Sequence, residues 1–276
     1  MRRQVRPNTR IPGNWAAFLR VDENKEELFH YLAEQLTSIG SEHGEVVSTK
    51  GETVVLNNNR DDIADLAPCK HEEADTRLLL HAADAAKRSY AKVMIRTVDT
   101  DVVVISIAKF QHISLSELWI DFGVRKHRRY LPAHDISRSI GQGKSKALLA
   151  FHSFTGCDQT SSFAHHGKNT AWDAWQAFNE VTEAFQVLSN APTVDDLDEV
   201  MPILERYIII MYDRTSTCAK VNDARRDLFT RKGRDIEAIP PTSDALLQHT
   251  KRSTYQAGHC SGNSLVPSPT FPCPSE

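Results

Sequence analysis

Carboxylates in three short stretches are the side chains of this sequence best placed to do chemistry: Glu72-Glu73-Ala74-Asp75, Asp99-Thr100-Asp101, and Asp158 within Gly156-Cys157-Asp158. Hard divalent cations take oxygen ligands, and two such ions about 3.5–4 Å apart call for roughly four or more carboxylates. Ions held in that way activate a water and stabilise the leaving oxygen of a phosphodiester. A single D-x-D or E-x-D is a weak signal, because such pairs arise by chance on solvated faces or cap helices. Three acidic groups at three element boundaries carry more weight.

The elements that must position them come next. Glu72 to Arg88 has helical spacing, with an apolar stripe of Leu78, Leu79, Ala82 and Ala86. Asp75 falls on that row and faces the core side, where a carboxylate is costly unless paired or bound to a cation. Lys92 to Val98 is a nearly all-apolar strand of the kind covered on both faces in a parallel sheet. Asp99 and Asp101 follow it directly, at the carboxyl end where parallel sheets bind ligands. Asp101 is expected to open a helix from Val102 to Phe110. Asp158 sits in a turn after a helix ending near Phe154. Helix, strand and helix in this order predict an α/β layer fold.

Upstream, Trp15 to Ile39 is expected as one helix with Leu28, Leu32, Leu36 and Ile39 on one face, and Glu45 to Leu56 as two strands turning at Lys50-Gly51-Glu52. Downstream, Leu118 to Phe122 and Arg129 to Leu131 read as strands flanking a basic turn. Helices are expected over His134–Ile140, Lys144–Phe154, Thr170–Leu188, Asp196–Arg214, Asn222–Arg231 and Ser243–Tyr255. The expected organisation is a flexible leading segment (1–14), an α/β domain (15–190), a helical C-terminal extension (191–258) and a disordered Pro- and Ser-rich tail (259–276).

Composition bounds the function classes. The five cysteines are odd in number and widely spaced, with no C-x-x-C pair, against both a disulfide framework and a zinc finger. Hydrophobic residues at 40% with no run near the roughly 20 residues of a bilayer span argue against a membrane partner. Nothing apolar follows the basic start, so the chain is expected to be intracellular, in the nucleus rather than the cytoplasm. The net charge of −3 hides an uneven distribution, with basic residues at Arg125-Lys126-His127-Arg128-Arg129 and at Lys144, Lys146 and Lys168. A site for metal ions and phosphate needs both signs close together.

Glu73-Ala74-Asp75, Val98-Asp99-Thr100-Asp101, and Gly156-Cys157-Asp158 followed by Gly167-Lys168-Asn169-Thr170-Ala171 resemble the internal motifs of flap-endonuclease-like 5′-nucleases of the PIN superfamily. There an E-A-E opens a helix, a D-x-D follows a strand, and a G-x-D precedes a helical duplex-binding motif ending in G-x-K-x-A. The likeness covers roughly residues 71–175. It implies a Rossmann-like parallel-sheet core with Mg²⁺ or Mn²⁺ held by Glu73, Asp75, Asp99, Asp101 and Asp158. Asp75, Asp99 and Asp101 would form the catalytic centre, with DNA or RNA as partner. The strings from His71 to Leu78 and from Thr155 to Ser161 are also similar to a large group of animal proteins linked to mobile elements. The family's first strand, ending in an aspartate, has no counterpart before Glu72, which implies a chain shortened on that side. Ala164-His165-His166 stands where the family has glycines.

Some readings stay open. Helical periodicity pairs Asp75 with Glu72, whereas the resemblance pairs it with Glu73. Gly141-Gln142-Gly143-Lys144-Ser145 has the tail of a P-loop without its first glycine and reads as a helix boundary. Lys168 at a helix start is placed to hold a phosphate, or simply to cap. Arg128 and Arg129 are candidates for a nucleic-acid backbone, against the plainer reading of a solvated hairpin tip. Trp172 and Trp175 are expected in the core. The leading expectation is a metal-dependent PIN-like nuclease, degenerate or active. Its rivals are a non-catalytic nucleic-acid-binding or protein-interaction scaffold of the same fold, and a phosphatase-like hydrolase.

Overall fold

The computed structural model describes residues 5–39, 44–58, 60–71, 74–190, 192–232, 236–263, 265 and 267. Two compact units divide at Glu72/Glu73: Met1–Glu72 with Val266–Ser268, and Glu73–Leu265 with Pro269–Glu276. In the first unit, Trp15–Leu19 (α1) and Asp22–Ile39 (α2) replace the single helix expected over 15–39. The buried Asn24 donates its side-chain amide to the Phe18 carbonyl at 3.1 Å, taking an acceptor that a continuous helix would have used. Leu32 and Leu36, expected on the packed face, are exposed. Val47–Lys50 (β1) and Thr53–Leu56 (β2) pair antiparallel, as their β-branched residues predict.

The second unit carries all the candidate chemistry among the described residues. Ala74–Lys87 (α3), Lys92–Thr97 (β3), Thr100–Lys109 (α4), Glu117–Phe122 (β4) and Arg129–Pro132 (β5) come first. The sheet order is β3-β4-β5. β3 and β4 run parallel, with Ile95 opposite Ile120, while β4 and β5 run antiparallel. The expected parallel sheet is therefore one parallel pair inside a small mixed sheet. Parallel pairing requires a crossover of a dozen or more residues, which α4 supplies between β3 and β4 but the short segment after Phe122 cannot. Gly123 makes the return at φ 89°, where a Cβ would sit 2.6 Å from the His127 carbonyl oxygen. β3 is not covered on both faces either: Ile95 is buried, but Met94 is 58% exposed.

Ala133–Phe154 (α5) crosses the unit, kinked at Gly141 where two separate helices were expected to meet. Around it pack Lys168–Ala177 (α6), Val181–Leu188 (α7), Val194–Tyr212 (α8) and Ser243–Asn263 (α10), and Val221–Lys232 (α9) packs against α8. The helix expected over 170–188 is thus two, and α10 runs on into the segment expected to be a tail. The helical C-terminal part belongs to the same compact unit as the sheet. Phe154 is fully buried among Phe163, Phe185, Tyr207 and His249, with ring centroids 5.3–6.3 Å away. Trp175 is buried beside Phe151 and donates to Thr182 at 2.9 Å, the core placement expected of it. Glu205, also buried, accepts from the Val221 amide and from Ser243 and so ties α8 to the starts of α9 and α10.

Because Phe154 fills the junction of α5, α7, α8 and α10, Phe154→Ala leaves a void that these helices cannot close. A loss of about 3–5 kcal/mol is expected, read as a lowered urea midpoint.

Candidate functional site

The last turn of α5 ends inside the protein, so its terminal carbonyls need partners other than water. Each finds one. The Phe151 carbonyl accepts from the Thr155 amide and hydroxyl, the latter at 2.7 Å. The Ser153 carbonyl accepts from the Thr160 hydroxyl at 2.6 Å. The Phe154 carbonyl accepts from His249 Nε2 at 2.7 Å. The His152 carbonyl accepts from Lys168 Nζ at 2.8 Å. Lys168 also donates to Thr155 Oγ1 at 3.1 Å and to the Gly156 carbonyl at 2.5 Å, which commits all three ammonium protons. The chain can turn this tightly because Gly156 sits at φ 103°, where a Cβ would meet Ser162 at 2.8 Å.

Lys168 is the first residue of α6, after Gly167 at the cap position. A cation is unfavourable at the start of its own helix but favourable at the end of α5, and its hydrogen bonds go to α5. Although the residue as a whole is exposed, burial of the ammonium lowers its pKa to about 8, against the opposing charges of Cys157 and Asp101.

Asp101 meets the same turn from the other side. Its Oδ1 lies 2.9 Å from His152 Nε2, a pairing of α4 with α5 across 51 residues of chain. This hydrogen bond, with the nearby Lys168 charge, holds the Asp101 carboxyl below the usual carboxylate range, against the opposing effect of its partial burial. Asp101 does not open α4. Asp99 does: it has extended backbone, and its Oδ1 accepts the Asp101 amide at 2.8 Å. The earlier residue wins because the amides at the start of a helix are orphaned two or three positions after the cap.

The remaining expected residues divide. Asp75 is half-buried in the first turn of α3, as its place on the apolar row predicts. Glu73, with Glu72, lies outside the described residues. Asp158 is exposed at the tip of a turn closed by Cys157 and Thr160, whose backbones bond reciprocally at 3.1 and 3.2 Å. Arg128 gives both prongs of its guanidinium to the buried Asp121, at 2.7 Å each, so its fork is spent on the fold. Arg129 stacks over Phe122 at 5.4 Å. Lys144, in the P-loop-like string, lies over Trp172 and Trp175 rather than beside a glycine cradle. Of the two adjacent histidines, His166 packs on Tyr212 at 4.1 Å between ring centroids, and His165 is exposed.

Sequence reasoning missed His152. Its signal was a histidine on the apolar stripe of α5 beside Leu148, Leu149 and Phe151, shortly before Gly156-Cys157-Asp158. An imidazole at such a position is buried and must pair.

Carboxylate oxygens are the right donors for Mg²⁺ or Mn²⁺. Asp99 and Asp101 each commit one oxygen to the hydrogen bonds above. Among the described residues no three His, Cys, Asp or Glu side chains are grouped closely enough to hold an ion. Those residues therefore provide a carboxylate pair flanked by His152 and Lys168, not a complete ligand set.

The ammonium of Lys168 has a testable signature. Its folded pKa, about 8, lies below the unsubstituted value of 10.5. Between those values the unfolded chain binds more protons, so stability rises with pH across that window, and the penalty is fully present below it. Lys168→Met is expected to flatten that rise in denaturant midpoints. Competitive amine labelling of the native protein should give Lys168 a midpoint near 8, whereas a midpoint above 10 would contradict the burial described here. Against family models, curated proteins and solved structures the chain has no match, so the geometry itself carries the functional reading.

Proposed function

We propose that this chain is a PIN-like, metal-dependent nuclease that hydrolyses phosphodiester bonds in DNA or RNA, with its centre at the carboxyl end of β3. The observation that carries the reading is the placement of Asp99 and Asp101 at that sheet edge, with Lys168 and His152 assembled around Asp101. Ligands bind at such edges, and a site of mixed charge suits both a cation and a phosphate. The resemblance implies Asp75, Asp99, Asp101, Asp158 and Glu73 as metal ligands; Asp99 and Asp101 are the pair at this edge, and no three of the described ones are grouped closely enough to hold an ion. Mg²⁺ or Mn²⁺, when bound, supplies an activated water and charge for the leaving oxygen. The protein's own part is to orient Asp101 through His152 and to bring the Lys168 charge beside it. His152 would act as a positioning residue, as outer partners of metal-binding carboxylates do.

A second reading, a non-catalytic nucleic-acid-binding or protein-interaction scaffold that keeps the fold, is favoured by a specific observation. Lys168 spends every ammonium proton on the α5 turn, which makes the Gly-Lys and Thr-Gly-Cys-Asp motifs sufficient as helix-ending devices.

Calorimetric titration with Mn²⁺, paired with cleavage of labelled flap, single-stranded and RNA substrates, separates the two. For the nuclease, binding and cleavage should fall at least about a hundredfold in the Asp99→Ala, Asp101→Ala double variant, and about 10–100-fold in His152→Ala. Wild-type protein that neither binds Mn²⁺ nor cleaves any substrate would overturn the nuclease and leave the scaffold.

A further inference from the structure

A cavity of about 310 Å³ lies where α8, α9 and α10 meet the loop from Ser161 to Ala164. It is separate from the Asp101 site, though the segment after Gly156 borders both. Two guanidinium groups line it from different helices, Arg225 of α9 and Arg252 of α10. Arg225 donates from Nη1 to the Pro240 carbonyl, which fixes its guanidinium at the cavity wall and leaves its remaining N–H groups for a ligand. Neither arginine has a carboxylate partner among the described residues. Among the described residues Glu237 is the one acid at the rim, and its side chain is 82% exposed, where solvent and salt screen it.

The walls are apolar and aromatic. Phe163 packs against the His249 ring at 4.9 Å between centroids, and Ile239, Pro240 and Pro241 also line the cavity. His249 donates from Nε2 to the Phe154 carbonyl, which leaves Nδ1 as the acceptor facing Ser161 at 3.5 Å. Its ring therefore serves as a fixed flat wall rather than as a charge, and burial together with Arg252 keeps the protonated form disfavoured. Tyr212 also lines the cavity, and burial raises its pKa to about 12, so its hydroxyl remains a donor at neutral pH.

We infer that this cavity is a binding site for a small organic phosphate, with a planar ring between Phe163 and the apolar wall and the phosphate gripped by Arg225 and Arg252. Guanidinium forks match phosphate oxygens from two sides. The volume lies at the small end of ligand sites, which fits one nucleoside monophosphate and excludes an oligonucleotide or a dinucleotide. The assignment is independent of the nuclease reading, because it uses none of the residues at the Asp101 site.

The test is calorimetry on the full chain with AMP and UMP, alongside adenosine, inorganic phosphate and benzoate. A nucleoside monophosphate should bind best. Arg252→Gln, an exposed change on α10, should weaken it about tenfold or more. Ala245→Trp, at the exposed rim, should abolish it without lowering the melting temperature. The Asp99→Ala, Asp101→Ala variant should bind it normally. Absence of nucleotide binding, adenosine binding as tightly as AMP, benzoate binding more tightly, or binding lost only in the Asp99/Asp101 variant would each overturn the assignment.

Discussion

A helix that ends in the interior must satisfy its last carbonyls without water, and the end of α5 imposes that demand on much of this molecule. Four side chains answer it from widely separated parts of the chain: Thr155 and Thr160 from the turn itself, Lys168 from α6 and His249 from α10. An unmade hydrogen bond on a buried carbonyl costs about 1–3 kcal/mol, so these four contacts weigh heavily against a folding free energy of only about 5–15 kcal/mol. Phe154, at the same turn, is the centre of the aromatic packing. The polar and apolar demands of one helix end thus select the arrangement of α6, α8 and α10 together.

The chemistry is drawn to the same place. Asp101 reaches His152 because α4 must return along α5 to cover the sheet, and a carboxylate and an imidazole sharing a half-buried position stabilise each other. Lys168 neutralises the turn and keeps a charge near Asp101, and its desolvated ammonium titrates closer to neutrality than a surface lysine does. Motifs that look catalytic in one dimension therefore also have a structural duty. Structural duty and catalysis are compatible, since catalytic groups work best when packing and hydrogen bonds already hold them.

Particular residues show how far the primary structure can be read. Val54, Val55 and the glycine between two short β-branched runs announce the β1–β2 hairpin locally, and the hairpin is there. The apolar row of α3 places Leu79 and Ala82 in the core and Asp75 at its edge. The antiparallel direction of β5 follows from the short connection after Phe122, which reads as a hairpin tip, but that this leaves a single parallel pair in a small mixed sheet was not legible. Nor was the exposure of Met94, since an apolar strand carries no mark of how many layers will cover it. The partnership of Arg128 with Asp121 was equally hidden: a basic run reads as a solvated tip until the strand pairing brings a buried carboxylate beneath it.

By itself the sequence determined the periods of the helices and strands, the α/β alternation, the placement of acidic residues at element boundaries and the aromatic content of the core. Each is a property of neighbours within one or two turns, where backbone geometry and side-chain spacing act directly. Only the tertiary structure decided which carboxylate caps and which pairs, that His152 belongs to the site, and that Lys168 serves the end of another helix. Those outcomes depend on contacts between residues as far apart as Asp101 and His152, whose meeting is set by how the helices pack over the sheet and not by their spacing along the chain.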